Sequence, residues 1–308
     1  MPLRLAVTIV LMLALGAVSP NAQENAARPQ QTFRSAVDVV TIHASVRDAR
    51  GRVISGLTSA DFEIRDNGQL RRVLSLRSDR HSPLSLAILV DMSGSMQIGG
   101  KMSMVRQAYD SLLSQLQDGQ DEVALFSFDN TLHERQPFTR NLATLRGALS
   151  NFEPYGSTSL YDATATAARQ LADRSATNKA IIVLTDGTDT SSTMTAREVS
   201  GLASSIDVPV YVVATVPSVD ERRMMEASGR TGSDAADLRD LAEWTGGQFV
   251  FASTLGETMV TASILIGDLR QQYVVAIEAA SEREWRRLDV RVRRPSMVVK
   301  ARSGYFGG

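Results

Sequence analysis

Apolar positions along this chain keep two different periods, and the switch between them divides it. Over residues 37–76 the period is two: Val40, Ile42, Ala44 and Val46 alternate with mostly polar neighbours, the pattern of a half-buried strand. Arg47-Asp48-Ala49-Arg50-Gly51 reads as a turn, and Val53-Ile54 resumes the apolar pattern. Phe62-Glu63-Ile64-Arg65 then meets Asp66-Asn67-Gly68, a hairpin signal, and a strand follows through Val73, Leu74 and Leu76. His81-Ser82-Pro83 marks a boundary. Beyond it the pattern changes. Leu86–Val90, Ile181–Leu184 and Val208–Ala214 are nearly unbroken apolar runs, as strands buried on both faces are. Glu122–Phe128 reads as a further strand and Gln248–Phe251 as a short edge strand. Between these, Val105, Ala108, Tyr109, Leu112 and Leu116 predict a helix over residues 102–117, and a short helix covers residues 142–149. Leu160, Ala163, Ala167 and Leu171 mark a long helix, and Leu238, Leu241 and Ala242 another that stops at Gly246-Gly247. Strands alternating with helices predict an α/β fold, a mainly parallel sheet with helices on both faces.

The last residues return to period two. Tyr273–Ile277 reads as a strand, and Leu288, Val290 and Val292 alternate with Arg287, Asp289, Arg291 and Arg293. Met297–Ala301 gives one more strand before Gly304-Tyr305-Phe306. Neither end carries enough strands for a stable sheet, so the N- and C-terminal segments are expected to form one small β-sandwich, with the α/β domain inserted between them. The expected division is 37–80 and 272–308 for the two β segments and 81–271 for the α/β domain. Asp61, Glu63 and Asp66 match no calcium-loop spacing and read as solvent-facing strand and turn residues. The alternate arginines read as a solvated sheet face, because Asp289, Glu282 and Glu284 interrupt their charge.

Composition narrows the setting. A formal net charge of -1 over 308 residues gives no general pull toward nucleic acid or anionic membranes, and no nucleic-acid partner is expected. There is no cysteine, which excludes disulfides, thiolate metal sites and a Cys nucleophile. Met1-Pro2-Leu3-Arg4 followed by an apolar stretch from Leu5 to Val18 reads as a signal peptide, since about 14 apolar residues fall short of a membrane span. Residues 1–22 are the expected signal peptide, with an uncleaved anchor as the alternative, and polar residues 23–36 the flexible lead-in. The expected location is the periplasm, envelope or medium of a bacterium, with no stable membrane span after cleavage.

The candidate chemistry begins where the first apolar run ends. Leu86–Val90 leads into Asp91-Met92-Ser93-Gly94-Ser95, which presents one carboxylate and two hydroxyls at alternate positions. These hard oxygen donors suit a divalent cation such as Mg²⁺. They also suit a polar strand-to-helix turn capped by Ser95. A second apolar run ends in Thr185-Asp186-Gly187, and Gly156-Ser157-Thr158-Ser159 forms a loop leading into a helix. In an open α/β sheet the carboxyl ends of the strands share one edge, where ligands bind.

Together, these three separated motifs resemble the von Willebrand factor type A family, over roughly residues 84–270. The resemblance implies a doubly wound, Rossmann-like sheet and a metal ion-dependent adhesion site, or MIDAS. Its five positions fall on Asp91, Ser93, Ser95, Thr158 and Asp186. It implies Mg²⁺, or Mn²⁺ or Ca²⁺ in its place, and a protein partner whose acidic side chain completes the coordination. A type A domain bracketed by β segments is similar to bacterial exported proteins of this kind. The expected function is therefore a non-enzymatic adhesion or scaffold module. The competing reading is a metal-dependent hydrolase of phosphatase type with Asp91 as nucleophile. Phosphatases with an Asp at such a strand end need a second Asp two residues on, where this chain has Ser93. A Ser-His-Asp hydrolase is weaker, because no Gly-x-Ser-x-Gly elbow is present and His43, His81 and His133 read as surface or turn residues.

Overall fold

The computed structural model describes residues 39–79, 82–149, 153–176, 178–216 and 234–306, with Glu226. The expected signal peptide, the lead-in and His81 lie outside the described residues. Alternation at the amino-terminal end resolves into β1 (Val39–Asp48), β2 (Phe62–Asp66), β3 (Gln69–Arg71) and β4 (Val73–Asp79). Asn67 and Gly68 join β2 to β3 with φ values of 47° and 82°, the paired positive angles of a tight hairpin. The single strand expected after this hairpin is two. β3 pairs with β2, whereas β4 crosses to a different sheet.

The central run forms β5 (Leu84–Asp91), buried at every position, and α1 (Lys101–Ser114) follows it. Then come β6 (Glu122–Phe128), β7 (Leu132–Thr139), α2 (Leu160–Ala172), β8 (Asn178–Thr185), α3 (Ala196–Ser205) and β9 (Val210–Ala214). The domain closes with α4 (Asp234–Thr245), β10 (Phe249–Phe251) and α5 (Leu255–Arg270). The sheet order is β10-β9-β8-β5-β6-β7, parallel except for β7. Strand alternation sends Leu86, Ile88 and Val90 to one face, against Val105 and Tyr109 of α1 and Leu265 and Leu269 of α5. It sends Ala87 and Leu89 to the other, against Leu160 and Leu171 of α2, Val199 of α3 and Leu241 of α4. This is a doubly wound sheet. The chain leaves β5 for one face and β8 for the other, so the carboxyl ends of these adjacent strands bound a crevice.

Two helices escape the apolar periodicity but carry clear start signals. Thr195 with Glu198 forms a capping box at α3, and Thr254 with Glu257 forms one at α5. The short helix expected over residues 142–149 is only a 3₁₀ turn, Leu142–Thr144. Leu142, Leu145 and Leu149 still pack into the core, but Gly147 at φ 75° takes the backbone out of the helical region.

The tail supplies β11 (Gln272–Glu278), β12 (Trp285–Val292), β13 (Met297–Ala301) and β14 (Gly304–Phe306). Strands from both termini interleave in two four-stranded antiparallel sheets, β13-β1-β11-β4 and β14-β12-β2-β3. Ile42, Val46, Ile64, Tyr273, Val275 and Leu288 fill the space between them. The Tyr273 hydroxyl accepts from Leu57 N–H at 3.1 Å and donates to the Ile54 carbonyl at 3.0 Å. Asp66 does not face solvent as expected. Alternation from Phe62 and Ile64 turns it inward, where it is fully buried and paired with Arg286 at 2.7 Å, Arg71 at 3.0 Å and the Tyr305 hydroxyl at 3.1 Å.

The sandwich meets the α/β domain where helices end and strands begin, at the amino edge of the parallel sheet. Buried Arg302 donates to the Ser204 carbonyl at the end of α3 and to the Thr41 carbonyl of β1. Arg47 Nε lies 2.7 Å from Asp268 Oδ1 on α5. His43 is not a surface residue: it sits half-buried in this seam, with Nε2 3.1 Å from Asp207 Oδ2 and Nδ1 3.1 Å from Gln272 Oε1. Asp91 lies at the opposite, carboxyl edge.

Candidate metal centre

Asp91 is the last residue of β5 and has no exposed surface. Its Oδ1 accepts the Ser93 N–H at 2.9 Å, and its Oδ2 accepts the Thr185 hydroxyl at 2.6 Å. Burial pushes its carboxyl up to about 6, against the pull of these hydrogen bonds, and the nearby charge of Asp186 adds to the rise. After Asp91 the chain folds into a 3₁₀ turn, Gly94–Gln97. Ser93 is buried and Ser95 exposed, with their hydroxyl oxygens 3.0 Å apart.

The Thr158 loop is bound to this turn through its backbone. Gly94 N–H donates to the Gly156 carbonyl at 3.0 Å, and Tyr155 N–H donates to the Met92 carbonyl at 2.7 Å. Gly156 holds φ 90°, a conformation that favours glycine, and a Cβ there would lie 2.9 Å from Asn130 Oδ1, which would have to give way. Asn130 Oδ1 accepts from the Ser157 N–H at 2.8 Å and its hydroxyl at 2.7 Å. Thr158 is buried. Its N–H donates to the Thr190 hydroxyl at 2.9 Å, and its carbonyl accepts from Thr190 and Ser191. Asp129 serves its turn, accepting from the Thr131 N–H at 3.0 Å.

Asp186 follows β8 directly and is buried. Lys101 Nζ lies 2.8 Å from its Oδ2, whereas its Oδ1 is buried with no hydrogen-bond partner. The structure thus places Asp91, Ser93, Ser95, Thr158 and Asp186 on one edge, at the crevice between β5 and β8. The donor set is two carboxylates and three hydroxyls. Among the described residues no group of three or more His, Cys, Asp or Glu side chains is arranged to hold a metal ion by itself. Two participants lie outside the expected set: Thr185, which fixes Asp91, and Lys101, which fixes Asp186. A lysine at the first position of a helix, where the dipole disfavours it, is the one signal in the sequence that points to the second.

The residues bearing this site, 86–188, match the family model of the von Willebrand factor type A domain. Residues 86–188 therefore belong to that domain family. Among solved structures, a von Willebrand factor type A protein from Catenulispora acidiphila is 12% identical, covering 87% of this chain and 73% of that one with a TM-score of 0.50. Proximal thread matrix protein 1 from the mussel byssus, solved with a zinc-occupied MIDAS motif, is 16% identical. It covers 66% of this chain and 49% of that one, with a TM-score of 0.50. An aerotolerance-related membrane protein from Bacteroides fragilis is 16% identical over 60% of this chain and 98% of that one, with a TM-score of 0.48. No curated protein matches. At such identities the likeness is one of fold: a type A sheet with helices on both faces, to which the terminal segments here add further β-sheets.

Proposed function

We propose that the type A domain is a non-enzymatic binding module. A divalent cation is held by Asp91, Ser93, Ser95, Thr158 and Asp186, and a partner's acidic side chain completes its coordination. The observation that carries this reading is Asp186 Oδ1, a buried carboxylate oxygen without a hydrogen-bond partner at the same crevice as the Asp91 carboxylate and the paired Ser93 and Ser95 hydroxyls. An unpartnered buried acceptor costs about 1–3 kcal/mol, and a cation placed there relieves it. Hard oxygens with few carboxylates favour Mg²⁺ or Mn²⁺ over the more numerous ligands Ca²⁺ prefers. The zinc-occupied motif of the mussel protein supports a divalent ion at such a site. When bound, the ion supplies a positive centre with room for one more oxygen ligand. Asp91, Thr158 and Asp186 are fixed by backbone and side-chain hydrogen bonds before it arrives.

A protein partner suits the rim of the site. Ile98 is 69% and Tyr155 81% exposed, on the two loops that flank the crevice, and Gln97 Nε2 donates to the Pro154 carbonyl to hold those loops together. Exposed apolar side chains beside a polar centre are typical of protein-contact surfaces. The hydrolase reading has less support. Both oxygens of Asp91 are engaged and the group is fully buried, a poor nucleophile. His43 is in the distant seam, and His133 lies near the start of β7, paired 3.4 Å from Asp129, so no histidine among the described residues is placed as its base.

The signal-like residues 1–22 support export to a bacterial envelope or medium. Among the described residues no helix is long and apolar enough to cross a membrane. A pull-down from native envelope extract tests the function. Wild-type chain should capture a partner that EDTA and Asp91→Ala both release; equal capture by Asp91→Ala in EDTA overturns the proposal.

A further inference from the structure

Lys101 opens α1 directly after Gly100, whose φ is 75°. A cation there faces the positive end of the helix dipole, and the first turn holds no acidic residue to offset it. The side chain folds back toward the crevice instead. It is 18% exposed, against 5% for Asp186, and its Nζ lies 2.8 Å from Asp186 Oδ2. The other oxygen of the same carboxylate is the buried, unpartnered Oδ1. One carboxylate thus meets an ammonium with one oxygen while the other is left buried and unpartnered. The remaining acids nearby are committed to local turns, Asp129 to Thr131 and Asp189 to Ser192 and Tyr161.

We infer that Lys101 is a specificity-determining residue: by cancelling one of the two carboxylate charges, it makes the site depend on an anionic partner. The inference rests on the cation reading above. Asp91 and Asp186 alone would neutralise a divalent ion. With Lys101 in place the loaded site keeps one positive charge, and a single carboxylate from outside removes it. Lys101 therefore weakens the hold on a bare cation and enlarges the gain when a carboxylate joins. By linkage, cation and carboxylate strengthen each other's binding by the same factor. A lysine serving only to anchor the start of α1 would do neither.

Calorimetric titration of the full chain with Mn²⁺ at neutral pH, alone and in excess acetate, separates the two roles. Lys101→Gln keeps a hydrogen-bond donor for Asp186 but drops the charge. It should bind Mn²⁺ alone about tenfold more tightly than wild type, the effect of removing one partly screened like charge, and should gain less from acetate. Lys101→Arg keeps the charge and should behave as wild type. Equal affinity and equal acetate gain in wild type and Lys101→Gln overturn the inference, with the cation site left standing. Should Lys101→Gln fail to fold, the wild type decides alone: Mn²⁺ affinity indifferent to acetate refutes it. No Mn²⁺ uptake by wild type or either variant overturns the cation reading itself, and this inference with it.

Discussion

Replacing Asp91 with Asn should stabilise the cation-free protein while destroying its cation site. The Asp91 carboxyl moves from an ordinary value of 3.8 to about 6 because it is buried. That rise means the native state holds its proton where the unfolded chain releases it. The associated stability is present below about pH 4 and is lost as pH rises through about 6. A rise of this size corresponds to about 3 kcal/mol. Asn at 91 never ionises, so it avoids this loss. It also leaves the Thr185 hydroxyl without its acceptor, at a cost of about 1 kcal/mol. The net gain is about 2 kcal/mol at neutral pH, or about 3 °C in melting temperature for a protein of this size, at about 2 cal/mol/K of unfolding entropy per residue. Thermal unfolding in EDTA across that pH range is the assay. The variant should melt above wild type at neutral pH and lose this advantage near pH 4, and saturating Mn²⁺ should raise only the wild type. A variant that melts at or below wild type at neutral pH, or a gap that ignores pH, refutes the reasoning.

Ser93→Ala and Ser95→Ala each remove one neutral ligand and should weaken Mn²⁺ binding by less than Asp91→Ala, as calorimetry would read. At Gly247 a Cβ would lie 2.0 Å from the Val210 carbonyl oxygen, so Gly247→Ala must push the end of α4 off β9. Urea unfolding should register a loss of about 1–3 kcal/mol, as overpacked sites lose. Amino-terminal sequencing of protein recovered from the native envelope or medium should start beyond Pro20; an intact Met1 would contradict cleavage.

The central sheet is legible in the sequence because its strands are apolar on both faces, and Leu86–Val90 and Ile181–Leu184 allow little else. The terminal strands are legible through strict alternation, and their union in a sandwich follows from neither end being self-sufficient. What alternation does not reveal is that the chain changes sheets at Arg72. That step depends on which partner edge is free, a matter of tertiary contacts. Asp66 escapes a reading by charge alone, which sends a carboxylate to solvent, although its position in the alternation points inward. Arg286 and Arg71, distant in sequence or across a hairpin, make its burial tolerable. β7 alternates too weakly to stand out, since every residue along it is only partly buried or exposed. At the crevice the five expected residues are legible as spaced motifs. Thr185 is not, and Lys101 only through its unfavourable place at the start of α1, since their roles are pairings between β5, α1 and β8 that spacing does not encode.

The most direct measurement of the central claim is anomalous scattering from crystals of the full chain grown with Mn²⁺. Expected is one strong peak at the carboxyl edge between β5 and β8, in contact with Asp91, Ser93 and Ser95 and beside Thr158 and Asp186, absent from crystals of Asp91→Ala. A peak elsewhere on the molecule, or none at this crevice in well-ordered wild-type crystals, would contradict the assignment of a cation site.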